Sequence, residues 1–425
     1  MKREGWYIAR PYAHFDRPLP FDAAKAYVAD PARIQQHAFH PFIDFEIVQR
    51  RYKVRAQRAE VGSKRRPIGV PSHVDGYVFA YYAKLLGGRY EEYLIANDLG
   101  QCVLAYRRGL GSNIDFARAA FDEIARRDRC TAMAFDLEKF FETIDHSTLR
   151  SNWGRLLGVE RLPSDHFAVF TAITRHASVN LEACRVRLGI PPKAALPRPI
   201  CTPAAFRNVI RRNPNGLPNL VNTNRNRYGI PQGSQISALL SNMYLMNFDL
   251  EMKMLSDQVG GYYRRYSDDI LWICDPQAAG LVETSLKQAL AKLGGTTTLN
   301  ENKTERSPFH VTPSGRLETD RQIQYIGFVF DGSRVRIRSQ TLSRYWRRVV
   351  YAARATTRAA RHSAVKPGIP YKRKLFRRFS HLGHRNLISY AQRSEGIMKT
   401  GAIRRQLSRH MPRILQALGK RPAAK

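Results

Sequence analysis

Two adjacent carboxylates, Asp268 and Asp269, lie in the stretch Tyr262-Tyr263-Arg264-Arg265-Tyr266-Ser267-Asp268-Asp269-Ile270-Leu271-Trp272-Ile273. Aromatic-rich apolar runs of this kind predict strands, and the polar Ser-Asp pair between them predicts the tight turn of a hairpin. In an exposed turn a bare Asp-Asp is solvated and carries no message. Here both flanks are apolar, so the turn belongs to a buried hairpin that presents two like charges. Each carboxylate raises the pKa of the other unless a cation neutralises them. A hard divalent cation with oxygen ligands is the natural solution. A further carboxylate, Asp136, closes the short apolar strand predicted over residues 131–135, where an unpaired charge is expensive. Read alone, Asp136 serves equally well as a helix N-cap. If its strand lies beside the 261–274 hairpin, Asp136 and Asp268 face each other and can hold two metal ions. That is the clamp with which phosphoryl transfer activates an attacking oxygen and stabilises a leaving one.

Three other segments join this set. Gly229-Ile230-Pro231-Gln232-Gly233-Ser234-Gln235 places glycine on either side of Pro-Gln, a turn whose backbone can approach a ligand closely, and a helix follows. On its own such a turn reads as an ordinary loop-to-helix junction. Lys303, in Leu299-Asn300-Glu301-Asn302-Lys303-Thr304-Glu305, reads alone as a surface lysine in a polar loop. Tyr325-Ile326-Gly327-Phe328 reads alone as a core strand.

The elements that must position these residues follow from periodicity. Residues 1–60 mix aromatics with Arg and Lys and predict an irregular or helical N-terminal extension. Lys64-Arg65-Arg66-Pro67-Ile68-Gly69-Val70-Pro71 is basic, strand-like and closed by proline. Helical spacing runs over 74–95 and 113–127. Residues 185–228, rich in Pro, Asn and Arg, predict a long insertion loop. Helices follow over 235–254 and 281–294, and a hairpin of strands 322–330 and 335–338 turns at Asp331-Gly332. Beyond it, the spacing of Tyr345, Val349, Tyr351 and Ala352 predicts basic amphipathic helices.

Composition narrows the class. The 425 residues suffice for a large core and two or three subdomains, and the 43% hydrophobic content predicts a globular chain. The net charge is +35, from 70 Lys+Arg against 35 Asp+Glu, an excess that self-repels unless a polyanion is near. Residues 341–425 alone hold 22 Lys+Arg and one acid, Glu395, a net +21. An acidic membrane surface is the rival partner, but no apolar span has transmembrane length and no amphipathic anchor opens the chain. The first residues lack the apolar centre of a signal peptide. Five scattered cysteines without a Cys-x-x-Cys argue for a reducing, cytoplasmic setting and against structural zinc.

Taken in order, a strand ending in Asp, a Gly-Pro-Gln-Gly turn and helix, an aromatic-x-Asp-Asp hairpin, a lysine and a Tyr-x-Gly-Phe resemble the palm of reverse transcriptases. More narrowly they resemble the bacterial group that includes group II intron, retron and defence-associated enzymes. The resemblance runs from about Lys64 to Phe330. Asp136 matches motif A, Pro231-Gln232-Gly233 motif B, Asp268 and Asp269 motif C, Lys303 motif D, and Tyr325–Phe328 the primer grip. Lys64–Pro71 and Tyr106-Arg107-Arg108-Gly109 resemble the two fingers motifs. Motif B departs from the common pattern at Ala238, where proline often follows Ser237, and Ser267 stands where motif C more commonly has Ala.

The resemblance implies an α+β right-hand polymerase. Its expected parts are an N-terminal extension (1–60), fingers (61–130), a palm with antiparallel sheet and packed helices (131–335, with the 185–228 insertion) and a basic helical thumb (336–425). It implies that Asp136, Asp268 and the backbone carbonyl of Leu137 hold two Mg²⁺ ions, with Mn²⁺ as a substitute, and that Asp269 supports them. Lys303 protonates the departing pyrophosphate. Lys64 and Arg66 contact the triphosphate, as cations matched to phosphate oxygens do, and Gln232 lies in the nucleotide site. Phe141, five residues after Asp136, takes the steric-gate position, where a ring collides with a ribose 2′-OH; it reads equally as a core aromatic. Arg107, Arg108, Tyr325, Gly327, Lys372, Arg373, Lys374, Arg377 and Arg378 track template and primer through the backbone.

No residues are left over for an endonuclease, RNase H, integrase or protease domain, which disfavours a self-moving element. Retrons carry Val-Thr-Gly in the thumb and an Asn-x-x-x-His signature before motif A. Here Val311-Thr312-Pro313 precedes Tyr325, and no such signature lies between Gly109 and Asp136. The chain therefore looks more like the standalone antiphage enzymes of the "unknown group", class 2 in type. Members of that group copy a noncoding RNA that is both scaffold and template. The resemblance thus implies a structured noncoding RNA, an RNA–DNA duplex and dNTPs as partners, and no membrane. A retron or domesticated intron enzyme is one alternative. A viral-type RNA polymerase is disfavoured by Phe141 and by the lack of Gly-Asp-Asp. A non-catalytic RNA-binding protein on a polymerase fold is disfavoured by the intact carboxylates and Lys303.

Overall fold

The computed structural model describes residues 4–55, 58–212, 216–362 and 367–419. The chain divides into two compact units that interleave in sequence. The first comprises residues up to Tyr106, Leu137–Lys253 and Ser285–Leu299. The second comprises Arg107–Asp136, Met254–Thr284 and the residues from Asn300 onward.

The first unit is built around a long antiparallel hairpin of Phe42–Arg55 and Arg58–Val70. Ala177–Asn180 joins its first strand in parallel, and Asn222–Thr223 extends the sheet. Residues 42–55 are therefore a strand, not the irregular or helical segment that their mixed composition predicts. Period-2 alternation of Ile43, Phe45 and Ile47 with Phe42, Asp44 and Glu46 fits a pleat better than a helical turn. The His73–Ala96 helix follows, its first turn capped by Ser72, whose hydroxyl accepts from the Asp75 N–H. The 185–228 stretch is not a free loop. Its Ile200 and Ile210 are buried in a small core with Phe15, Ile43, Val179 and Cys184. Pro and Asn spacing hides these isolated apolar anchors from a periodicity search. The helix predicted over 235–254 is two helices, Ser237–Tyr244 and Met246–Gln258.

The second unit contains a five-stranded sheet in the order Tyr262–Tyr266, Asp269–Cys274, Arg129–Asp136, Glu305–Val311, Leu317–Glu318, every neighbouring pair antiparallel. A three-stranded sheet of Ile323–Tyr325, Phe328–Phe330 and Val335–Ile337 accompanies it. The two sheets share one core with the helices. Phe121 from Asn113–Ala125, Leu271 and Phe309 from the large sheet, and Phe328 from the small one lie in it together with Val349, Phe379 and Ile414 of the C-terminal helices. The antiparallel sheets with packed helices make the architecture α+β, and the basic C-terminal region is helical, from Ser339–Arg361 to His410–Ala417.

Two local expectations change here. The predicted 322–330 strand is itself a hairpin, folded at Ile326-Gly327, which take φ of 33° and 100°. Positive φ at both central residues of a two-residue loop is the turn that matches strand twist, and glycine at the second makes it accessible. Tyr351, grouped by spacing with the apolar face of its helix, is 80% exposed, whereas Tyr345 and Val349 are buried. Among the described residues the five cysteines are unpaired as disulfides, and no helix is long and apolar enough to cross a membrane.

Candidate active site

The Tyr262–Tyr266 and Asp269–Cys274 strands pair from Tyr262↔Ile273 to Tyr266↔Asp269, which leaves Ser267-Asp268 as a two-residue turn. Ser267 takes φ 60°, a conformation for which glycine is the usual residue. Arg265 holds the turn. Among the described residues it is the largest charged side chain that is fully buried, and its guanidinium donates to the Ser267 carbonyl at 3.1 Å. Sequence reasoning passed over Arg265 as one of two arginines in a strand. Strand alternation does point it inward with Tyr263, and that signal could have found it.

Asp136 closes the central strand directly opposite Asp269. No helix begins at Asp136, so the N-cap reading falls away. Lys303 sits in a short 3₁₀ turn, Glu301–Lys303, and its ammonium forms an ion pair with the Asp136 carboxylate. The Asn300 N–H donates to the Asp136 carbonyl at 2.8 Å, which ties the lysine turn to the end of the strand. The second unit thus brings together four predicted site residues, Asp136, Asp268, Asp269 and Lys303. Burial, then the charges of Asp268 and Asp136, push the Asp269 carboxyl up to about 7, against the opposing pull of Lys303 and Arg338. Arg338, just past the third strand of the small sheet, was not singled out from sequence. Its backbone N–H donates to the Gly327 carbonyl at 3.1 Å, so the Tyr-x-Gly-Phe turn and the carboxylates share a neighbour.

That turn is pinned from a second side. The Asn113 amide donates to the Ile326 carbonyl at 3.1 Å and to the Tyr390 hydroxyl at 2.9 Å. Tyr325 is buried, its hydroxyl without a hydrogen-bond partner, and burial drives its pKa well up. Gly327 lies at the turn itself. Arg107 is half-buried and Arg108 exposed, ahead of Gly109 at φ 81°. On the Lys372–Phe379 helix, Leu375 and Phe379 face the core, Arg373, Lys374, Arg377 and Arg378 face out, and Lys372 is half-buried.

The remaining predicted residues belong to the first unit. Leu137 is buried. Phe141 is half-buried, and its carbonyl accepts from the Ile230 N–H at 2.8 Å. The Gln232 carbonyl accepts from the Gly69 N–H at 2.9 Å. A Cβ on Gly233 would stand 2.7 Å from the Gly69 carbonyl oxygen, so only glycine fits against that strand at φ 126°. The Pro-Gln-Gly turn is therefore clamped between the strand that carries Arg66 and the segment that carries Phe141. Arg66 is exposed opposite Ile47. The backbone of Lys64 pairs opposite Gln49, and its side chain lies outside the described residues.

Among the described residues no three His, Cys, Asp or Glu side chains are already gathered as a metal cage. The donor chemistry does fit a hard divalent cation. Carboxylate oxygens are the ligands that Mg²⁺ takes, and Asp269 is raised by burial first and then by the like charges of Asp268 and Asp136, which a cation would offset. A pH test follows. A carboxyl raised above its unfolded value near 3.8 stabilises the fold below that pH, and the contribution is lost as pH rises through about 7. Asp269→Asn, which mimics the protonated acid, should therefore stabilise the metal-free protein at pH 8 by on the order of 2 kcal/mol and make little difference near pH 4. Denaturant melts in chelator at the two pH values check this; an offset independent of pH would contradict the burial of that charge.

No protein-family model matches the chain, and no curated protein matches it. Solved structures do show similarity. Telomerase from Candida albicans, in complex with a TWJ fragment of telomeric RNA, aligns at 11% identity over 93% of this chain and 61% of its own, with a TM-score of 0.42. Apo telomerase from Candida tropicalis truncated from its C-terminal domain aligns at 9% identity over 68% of this chain and 55% of its own, TM-score 0.43. The untruncated apo form gives 10%, 89%, 60% and 0.41. The chain spans little more than half the length of these telomerases. Likeness of this degree assigns neither class nor activity to the chain.

Proposed function

We propose that the chain is an RNA-directed DNA polymerase. The observation that carries this reading is the meeting of Asp136, Asp268 and Asp269 with Lys303 at one end of an antiparallel sheet. Three carboxylates in a half-buried setting repel one another, and a fold retains such an arrangement at a cost unless a cation offsets it. Asp136, Asp268 and the Leu137 carbonyl would hold Mg²⁺, or Mn²⁺ in its place. When bound, the metal polarises phosphate oxygens and lowers the pKa of an attacking hydroxyl. Asp269, opposite Asp136 in register, supports its neighbours by charge. Lys303 carries the proton that the leaving pyrophosphate takes up, and its ion pair with Asp136 holds it at the site until substrate arrives.

In the first unit, Lys64 and Arg66 are assigned to the triphosphate, Gln232 to the nucleotide and Phe141 to the sugar. In right-hand terms, residues 61–130 are fingers, 131–335 palm and 336–425 thumb, with Arg107, Arg108, Tyr325, Gly327 and the Lys372–Arg378 cations on template and primer. The +21 carried by residues 341–425 supports a lasting RNA partner, since backbone and 2′-OH contacts by Lys and Arg hold a folded RNA by shape. A noncoding RNA copied in part into cDNA, in antiphage defence, is the specific form of this reading. Paired sequencing of RNA bound to the protein purified from its host and of cDNA from the same cells tests it. One shared structured RNA in both libraries is expected, and a transcriptome-wide spread in both would point instead to a general copier.

A further inference from the structure

The exposed face of the Ser339–Arg361 helix carries a charge stripe with an aromatic at its centre. Arg344, Arg347, Tyr351, Arg354, Arg358 and Arg361 are all exposed and follow one another at spacings of three and four residues, so they share one face. The opposite face, with Tyr345, Val349, Ala353 and Ala360, is buried in the core of the second unit. Over the 18 residues from Arg344 to Arg361 the stripe is about 25 Å long. The nearest acid in sequence C-terminal to it is Glu395, whose carboxylate accepts from the Arg404 backbone N–H.

A lone exposed tyrosine needs no explanation. Tyr351 differs because it is 80% exposed and flanked along one face by five arginines and no other large apolar side chain. Such a ring adds little buried surface to the fold. The cations bracket it by one turn on either side, at Arg347 and Arg354, and by two at Arg344 and Arg358. A polyanion that lies along this face sets its charges on the arginines and whatever it carries between those charges against the ring.

We infer that this helix face is a binding platform for unpaired nucleotides, with the arginines on phosphates and the Tyr351 ring stacked on a base. The inference rests on the nucleic-acid reading above and adds the form of the partner. Arginine contacts alone do not distinguish duplex from single strand, because both present phosphates. Stacking does: every base has a π-face, but in a duplex interior both faces are covered by neighbouring bases. The stripe is thus suited to a single-stranded segment beside a structured or duplex region.

The test is equilibrium binding of the full chain, in chelator so that no extension occurs, to a short labelled oligouridylate and to a blunt RNA duplex of the same strand length. Tyr351→Ala should weaken the single strand roughly tenfold and leave the duplex within about twofold, as loss of one stacked base predicts. Tyr351→Phe, which keeps the ring, should bind both like wild type. Arg354→Gln with Arg358→Gln should weaken both ligands and lower the log–log salt slope by about one to two. Equal losses on both RNAs from Tyr351→Ala, or no loss on either, would overturn the stacking assignment. Wild-type chain that prefers the duplex, with Tyr351→Ala unchanged on the single strand, would overturn the platform altogether. A chain that shows the Tyr351-dependent single-strand binding but extends no primer leaves this inference standing and removes the polymerase reading instead.

Discussion

Replacing Asp268 and Asp269 together by alanine is expected to abolish nucleotide incorporation on a primed RNA template in Mg²⁺, by on the order of a thousandfold or more. In the proposed reaction, several kcal/mol of transition-state stabilisation would depend on the charge that these carboxylates hold in place. The same change should leave the second unit folded, because it removes like charges from a hairpin whose apolar residues are buried in the sheet. Tyr263, Ile270, Leu271, Trp272 and Ile273 are all buried, and none depends on the two carboxylates for its packing. Folding of the variant is read from its denaturant midpoint, and activity from single-turnover extension. Unchanged extension by a folded double variant would place the chemistry elsewhere. Loss of activity together with loss of fold is separated by Asp268→Asn, which keeps the volume and hydrogen-bonding capacity of the turn.

The second large effect concerns sugar choice. Phe141→Ala should raise ribonucleotide incorporation relative to deoxyribonucleotide by roughly 10- to 100-fold, since the excluding ring is gone and nothing replaces it. The backbone around Phe141 should hold, because its carbonyl, not its ring, accepts the Ile230 N–H. Its ring lies 5.8 Å from that of Phe140, which is buried, so some packing is lost with it. A destabilisation of about 1–2 kcal/mol is expected for a half-buried ring, below the cost of a fully buried one. Phe141→Tyr keeps the ring and should keep the preference. Parallel extension with each nucleotide set decides: an unchanged preference in a folded Phe141→Ala protein would make the residue a packing aromatic.

Legibility in the sequence was uneven, and the unevenness has a local cause. The Asp-Asp hairpin, the strand that ends at Asp136 and the helices over 73–96 and 113–125 all follow from alternation, periodicity or capping within a few residues. The 42–55 strand was missed because its Arg, Lys and Gln content masks the pleat. The 185–228 stretch was missed because its core contacts are single residues far apart. The turn at Ile326-Gly327 was missed because a four-residue apolar segment reads the same whether it continues or folds back.

By itself, the sequence determined which groups can do chemistry here and how much positive charge the chain carries. It placed Asp268 and Asp269 at the tip of a buried hairpin and Asp136 at the end of a strand, and it put +21 into residues 341–425. Only the tertiary structure decided which of these groups meet. Lys303 lies 167 residues from Asp136, and its ion pair depends on how the strand after it pairs with the central strand. The electrostatic pull of Arg338 on Asp269, and Asn113 on the Ile326 carbonyl, likewise depend on the closure of distant segments. Tyr351 shows the same limit on a single helix. Its spacing predicts an apolar face, but whether a ring is buried depends on what the fold brings against it, and here the ring stays 80% exposed. Pattern within a few residues reports local backbone preference, whereas contact between remote segments is set by register and packing across the whole core.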